Sequence, residues 1–200
     1  MESIRTKDLL QSLQEQTETQ LTLAINSWQN LPTSLLDAAP TTGGWSAAQC
    51  IEHLNIYSRY YIPAIEKAIR KANLEQQKPS DRFKSGWLGD YFVRLMKKDP
   101  VKNPKDKLKA PKNAQPPVAL NAPAVVAEFI DHLEKMQQLI ENAGKINISK
   151  TRVGISIAKF VKLKLGDVIA FNVAHTQRHI MQAERAISAA KVRINSPVAV

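Results

Sequence analysis

Several things are scarce in this chain, and each scarcity removes a class of answer. There is one cysteine, Cys50, so no internal disulfide staples the fold, and a reducing, cytoplasmic setting is the default expectation. No apolar run reaches the length of about 18 residues that a bilayer span requires, so no contact with a membrane interior is expected. Met1 to Asp8 mix charges of both signs and lack the apolar stretch of a secretion signal. Glycine numbers 7 while hydrophobic residues make up 44%, a balance that favours a folded, helix-rich chain. Nothing repeats at a solenoid period. The 200 residues suit one domain, 1–200, with enough apolar surface to build a core without cross-links.

Acidic residues are also short. Against 28 Lys and Arg stand 18 Asp and Glu, a formal charge of +10, which favours nucleic acid, an anionic surface or an acidic substrate. The excess is concentrated. Arg82 to Lys112 holds ten Lys or Arg and three Asp, a net +7, inside a connection at about 79–121 punctuated by Pro79, Pro100, Pro104, Pro111, Pro116 and Pro117. Those prolines exclude a long regular element, although Trp87 to Met96 reads as a short helix. The simple reading of the connection is a solvated loop; the sharper one is a lid or a polyanion-binding arm. Specific nucleic-acid binding is not expected, because Lys97 to Lys112 has no interleaved aromatics and no base-reading motif is present.

What the chain has in abundance is helical periodicity. Leu10, Leu13, Thr17, Leu21, Ala24 and Trp28 recur at steps of three and four, predicting a helix near 3–30. Ser46 with Gln49 forms a capping-box pattern, and Ala47, Ile51, Leu54, Tyr57, Tyr61, Ile65 and Ala68 carry a second helix to about 77, with Pro63 kinking rather than ending it. A third, near 123–142, starts with Pro123 in its first turn and stops at Gly144. Residues 145–165 alternate loosely and fit either a strand-like piece or a short helix. Asp167 reads as the N-cap of a fourth helix, near 167–190, whose apolar face carries Val168, Phe171, His175, His179 and Ala186. The expected fold class is all-α: a four-helix bundle with a long crossover between its second and third helices. Stripes that look apolar on two sides allow a homodimer.

Histidine is rare too, at four residues: His53, His132, His175 and His179. His175 and His179 lie four apart, so both imidazoles project from one helical face, one turn apart. This is not the metalloprotease signature, since Thr176 stands where a catalytic Glu belongs. His53 lies near the start of the second helix, beside Tyr57 on the wheel, where it can meet the pair across a bundle. Three imidazoles with an open position match a catalytic zinc-type site, and nitrogen-only ligation also admits nickel and, less readily, manganese. His132, flanked by Asp131 and off its helix's stripe, reads as a solvated residue. Glu52, Gln49 and Gln182 are candidates to orient the imidazoles. Trp45 reads as a core plug, Cys50 as a small buried hydrophobe, and Tyr57, Tyr60 and Tyr61 as at least partly core.

The stretch Trp45-Ser46-Ala47-Ala48-Gln49-Cys50-Ile51-Glu52-His53-Leu54 resembles the W-S…H-L opening of the DinB-like (DinB/YfiT) superfamily. Ala174-His175-Thr176-Gln177-Arg178-His179-Ile180-Met181-Gln182 resembles its H-x-x-x-H helix with a trailing Gln. The resemblance spans roughly residues 3–190. It implies the family's four-helix bundle and a divalent metal, zinc or nickel foremost, on His53, His175 and His179. It further implies a small-molecule substrate, with a low-molecular-weight thiol among the candidates, since relatives include metal-dependent thiol S-transferases and a thiol-dependent isomerase. The basic connection at 82–112 is a departure from that pattern. Two functions remain open on the sequence. One is a metal-dependent transferase or hydrolase in which the ion activates a thiol or water. The other is a non-enzymatic binding module that uses the basic loop, its metal structural or absent.

Overall fold

The computed structural model describes residues 2–98, 101–106 and 108–195. Asp99, Pro100 and Lys107 of the basic run lie outside the described residues. The fold is mostly helical. β1 (Ile4–Arg5) leads into α1 (Thr6–Leu23), followed by a π-helical turn at Ala24–Trp28 and a short α2 (Thr33–Leu36). Then come α3 (Ala47–Leu74), β2 (Arg82–Phe83), α4 (Trp87–Lys97), α5 (Ala122–Ala143), the strands β3 (Arg152–Ile155) and β4 (Ala158–Lys164), and α6 (Leu165–Asn195). The four long helices pack together: α3 lies against α5 and α6, and α1 against the same two.

Local chemistry sets the helix ends. The Ser46 hydroxyl accepts from the Gln49 amide at 3.2 Å, and the Gln49 side chain accepts from the Ser46 amide at 3.1 Å, so the expected capping box is formed in full. α3 runs through Pro63 without interruption. Asn121 caps α5, accepting from the Ala124 amide. The first helix departs from the expected α geometry in its last turn, where the Gln29 amide reaches Ala24 O at 3.0 Å, an i to i+5 bond. That wider turn still leaves both Ala24 and Trp28 fully buried, and the Trp28 indole donates to Glu184 on α6.

One open expectation is resolved and one needs correction. The stretch left open at 145–165 holds an antiparallel hairpin, pairing Arg152 with Lys164 and Val153 with Leu163. Its short strands pack Val153, Ile155 and Leu163 inward, which is the strand-like of the two readings, and the fold as a whole remains mostly helical, as the all-α class expects. Among the described residues, each sheet has two strands. Asp167 is not the N-cap of the last helix, which begins two residues earlier at Leu165. Its buried carboxylate instead accepts from the Gly86 amide at 2.9 Å and thereby holds the start of α4. Gly89 is the surface that lets it in, since a Cβ there would lie 2.3 Å from the Asp167 carboxyl carbon.

The apolar core is in two parts. One gathers Leu10, Leu13, Tyr61, Ile65, Met136, Ile140, Leu165 and Val173; the other gathers Trp28, Ile51, Leu54, Phe129, Leu133, Ile180 and Ile187. Between them every long helix turns polar. Thr17 and Gln20 on α1, His53 and Asn55 on α3, His132 on α5, and Asn172 and His175 on α6 lie at this waist, and of these only His132 is not fully buried. Most have a main-chain partner there. Gln20 donates to Val173 O at 3.1 Å and Asn55 to Val125 O at 2.9 Å, while Thr17 and Asn172 donate to carbonyls of their own helices.

Candidate metal centre

The waist is where the histidines meet. On α6, His175 and His179 project one turn apart from the same face, with ring centroids 4.7 Å apart. The capping box that starts α3 at Ser46 sets the phase of that helix and aims His53 at the pair. Its ring lies 5.1 Å from that of His175 and 4.5 Å from that of His179. One ligand atom from each of the three falls within 4.8 Å of the others.

The hydrogen bonds decide which nitrogens are free. His53 Nδ1 lies 2.6 Å from Ala114 O, and a carbonyl can only accept, so Nδ1 carries the proton and Nε2 presents its lone pair. His179 Nδ1 lies 3.1 Å from Gln182 Oε1, which fixes the same tautomer there and leaves Nε2 for the centre. His53 Nε2 and His175 Nε2 face each other at 3.2 Å. Two ligands on one tetrahedral zinc at bonds of about 2.0–2.1 Å stand about 3.3 Å apart, so this spacing already matches an edge of such a site. Burial lowers all three imidazole pKa values, helped at His175 and His179 by the other histidines and by Arg178; His53 is lowered, His175 well below its ordinary value, and His179 to about 3. All three are neutral at pH 7, the state that metal ligation requires.

The other candidates fall elsewhere. Glu52 adjoins His53 in sequence but points away, pairing with Arg59 at 2.8 Å; Arg59 also binds Glu128 and so ties α3 to α5. Gln49 serves the helix cap and reaches Pro117 O. Of the three orienting candidates, only Gln182 touches an imidazole. His132 is not solvated as expected: it is half-buried, and its Nδ1 sits 3.2 Å from Asn55 Oδ1, remote from the other three. Cys50 is fully buried, and burial pushes its thiol to about 12, which makes it an inert hydrophobe. Trp45 packs against the apolar core of Trp28 and Ile51, as a core plug would, and its half-buried ring also lies on His53 and His179 as a wall of the site. Tyr57 packs on His53 and His175, and burial with Tyr61 nearby raises its phenol to about 12, so it keeps its proton.

The basic connection takes part in the site, nearer to the lid reading than to the solvated-loop one. It is not simply a solvated loop, for Leu108 to Pro111 and Gln115 line a cavity of about 910 Å³ over the histidines, and Ala114 is buried. The roof is tied down at two places. Ala114 O holds His53. Arg178, between the two histidines of α6, donates to Lys98 O and, at 2.8 Å, to Asp106 O. The floor and sides include Tyr57, Tyr61, Phe92 and Phe171. On the far side the Pro40–Gly44 turn closes the rim; Gly43 and Gly44 take φ of 81° and 115°, which L side chains rarely adopt. An Arg at i+3 from His175 on the same helical face is a signal the sequence did carry. A main-chain carbonyl from a loop 61 residues away left none.

The arrangement has the chemistry of a three-nitrogen metal site opening into a mostly apolar chamber. Among comparisons with known proteins, the family model described as the DinB superfamily matches residues 16–183. No curated protein and no solved structure matches the chain.

Proposed function

Because this chain belongs to the DinB superfamily, we propose that it is a metal-dependent enzyme in which His53, His175 and His179 hold one divalent ion, zinc or nickel, within the family's four-helix bundle. The substrate is a small molecule held in the chamber above them, and the reaction is S-transfer from a low-molecular-weight thiol or hydrolysis. When bound, the ion lowers the pKa of a thiol or water at its open position and so provides a nucleophile at neutral pH. The single observation that carries this reading is the tautomer lock: Ala114 O and Gln182 Oε1 consume the outer Nδ1 protons and leave inner Nε2 lone pairs converging on one point.

The chain's own residues have definable tasks around that point. Trp45, Tyr57 and Phe171 exclude water from one side and raise the strength of every electrostatic interaction inside. The Tyr57 hydroxyl, protonated throughout the neutral range, is a donor for a polar atom of the substrate. The roof residues Leu108 to Pro111 and Gln115 cover part of the chamber. No fourth protein ligand stands by the three among the described residues, which favours chemistry over a purely structural ion. The binding-module alternative asks the whole basic connection to face a partner, whereas Ala114 within it is buried and its carbonyl is taken up by His53.

The test is the metal content of the purified protein and of its H53A, H175A, H179A and H132A variants, each also after exposure to zinc and to nickel. One ion per chain is expected in the parent and in H132A, and almost none in the other three. A parent that takes up neither metal refutes the proposal.

A further inference from the structure

One end of the chamber over the histidines is built of rings and aliphatic side chains. Tyr57 and Tyr61 come from α3, Phe171 from α6, Phe92 and Leu95 from α4, and Ile155 from the β3–β4 hairpin, and all of them line the cavity. Phe171 is the hub. Its ring centroid lies 6.0 Å from that of Tyr61, 6.2 Å from that of Phe92, 6.4 Å from that of Tyr57 and 5.5 Å from that of His175. Tyr61 joins the hairpin to this group, since its hydroxyl accepts from the Ser156 amide at 3.3 Å. Four elements converge here, yet Tyr57, Phe92, Leu95 and Phe171 are only half-buried. Apolar surface that the fold brings inside and leaves uncovered is surface for another molecule to cover.

None of these side chains carries a charge. On α6 the lining residues Arg178 and Arg185 follow His175, whereas Phe171 precedes it by one turn, and Lys109 is an exposed residue of the roof. No Asp or Glu is among the lining residues described. An anion taken in among the rings would leave water for walls that offer it no partner charge, which is strongly unfavourable. A cation would gain from the ring faces, but it would enter a chain of formal charge +10 with no lining carboxylate to meet it. An apolar body has neither cost, and it covers the half-buried ring surface on several sides at once. We infer that the substrate presents an uncharged apolar body to this end: the body lies among Phe171, Phe92 and Leu95, and the reacting atom lies where Phe171 and Tyr57 pack on His175. In the S-transfer reading this molecule is the electrophile that receives the sulfur. The substrate class rests on the reading of the chamber as the reaction site, yet the binding it requires does not depend on a bound ion.

The test uses the full chain, as purified and after chelator treatment. Binding of three probes that share one ring system is measured by calorimetry: 2-naphthalenemethanol, naphthalene-2-sulfonate and (2-naphthylmethyl)trimethylammonium. The alcohol should bind at least about tenfold more tightly than either ion, in both preparations. F92A should weaken the alcohol about tenfold, F92L should recover most of the loss, and R185Q, beyond the histidines, should leave it unchanged. An alcohol that does not bind, or an ion that binds as tightly, overturns the inference, and that comparison needs no variant. So does an F92A variant that folds and keeps the parent's affinity, or an R185Q variant that loses as much as F92A. Metal uptake is scored separately in the histidine variants. If the protein takes up its ion but does not prefer the alcohol, only the substrate class falls; if it prefers the alcohol but takes up no ion, only the metal assignment falls.

Discussion

Arg178 is the strap of the roof, and cutting it has a calculable effect. Its guanidinium donates to Lys98 O and Asp106 O, one exposed bond and one part-buried bond. A hydrogen bond to a charged group contributes about 1.5 kcal/mol at the low end when partly buried, and the exposed one, in competition with water, about 0.5. R178A should thus favour opening of the roof by about 2 kcal/mol. At about 1.4 kcal/mol per tenfold, that is roughly a 30-fold rise in the open population. The Asp106 amide, bonded to Asn103 O, and the Ala114 amide, bonded to Pro111 O, report on it directly. Hydrogen exchange followed by mass spectrometry, on chelator-treated protein to hold the metal state fixed, should show both amides exchanging roughly 30-fold faster, with the interior of α3 unchanged. R178K, which keeps the charge but loses the fork, should fall between. The remaining tie from His53 to Ala114 O limits the effect at Ala114 more than at Asp106. Exchange at Asp106 within threefold of the parent would refute the assignment of Arg178 as a strap. A uniform rise across α3 and α5 would instead mean that the substitution had loosened the whole fold.

Two further outcomes follow from the same contacts. Q182A removes the acceptor that holds the His179 tautomer and should lower affinity for zinc by about 10–100-fold by competition titration, with Q182E close to the parent; an unchanged affinity would show that the bond does not orient the ring. Burial raises the Asp167 pKa above its ordinary value, against the bond from Gly86, so Asp167 favours the fold most below the unfolded-state pKa, and this contribution is lost as pH rises through the folded-state value. Denaturant unfolding of parent and D167N should therefore show the parent's relative stability declining as pH climbs from about 4 toward 7, and a difference that stays flat with pH would contradict the raised value.

The long helices were legible because each buries one stripe, and burial follows the steps of three and four in the sequence. Leu10, Leu13, Thr17, Ala24 and Trp28 are all buried as the pattern predicts. Ser46 and Gln49 were legible because a cap is a local bond between near neighbours. The three histidines were legible as a set, since two are fixed by spacing and the third by its place near the start of another helix; their convergence is what the structure adds. Other features escaped for identifiable reasons. Glu52 was credited to His53 by adjacency, but successive helical residues point about 100° apart, and Arg59 seven positions on shares its face. The hairpin at 152–164 was legible only as one of two alternatives, because short strands interrupted by Gly154 and charged outward residues give too few alternations to decide. Asp167 was read as serving its own helix because a cap is judged from sequence neighbours, whereas its partner, Gly86, is 81 residues away. The roof was legible only as the lid alternative, because proline and lysine speak for solvent, while the contact that matters there is made by the main chain of Ala114.

The polar waist has a consequence for assembly of the fold. An apolar stripe tolerates sliding, because a leucine one turn along replaces another at small loss. A layer in which Gln20, Asn55 and His132 bond across helices does not. Sliding α1 or α3 by a turn, about 5.4 Å, would part Gln20 from Val173 O, or Asn55 from Val125 O and His132, at about 1–3 kcal/mol for each buried group left unpaired. The helices are thus keyed in pairs, α1 to α6 and α3 to α5, by bonds that hold in this axial alignment. The same alignment brings His53 level with His175, so a chain that docks its helices in the wrong register loses its histidine cluster and its stability by one and the same error.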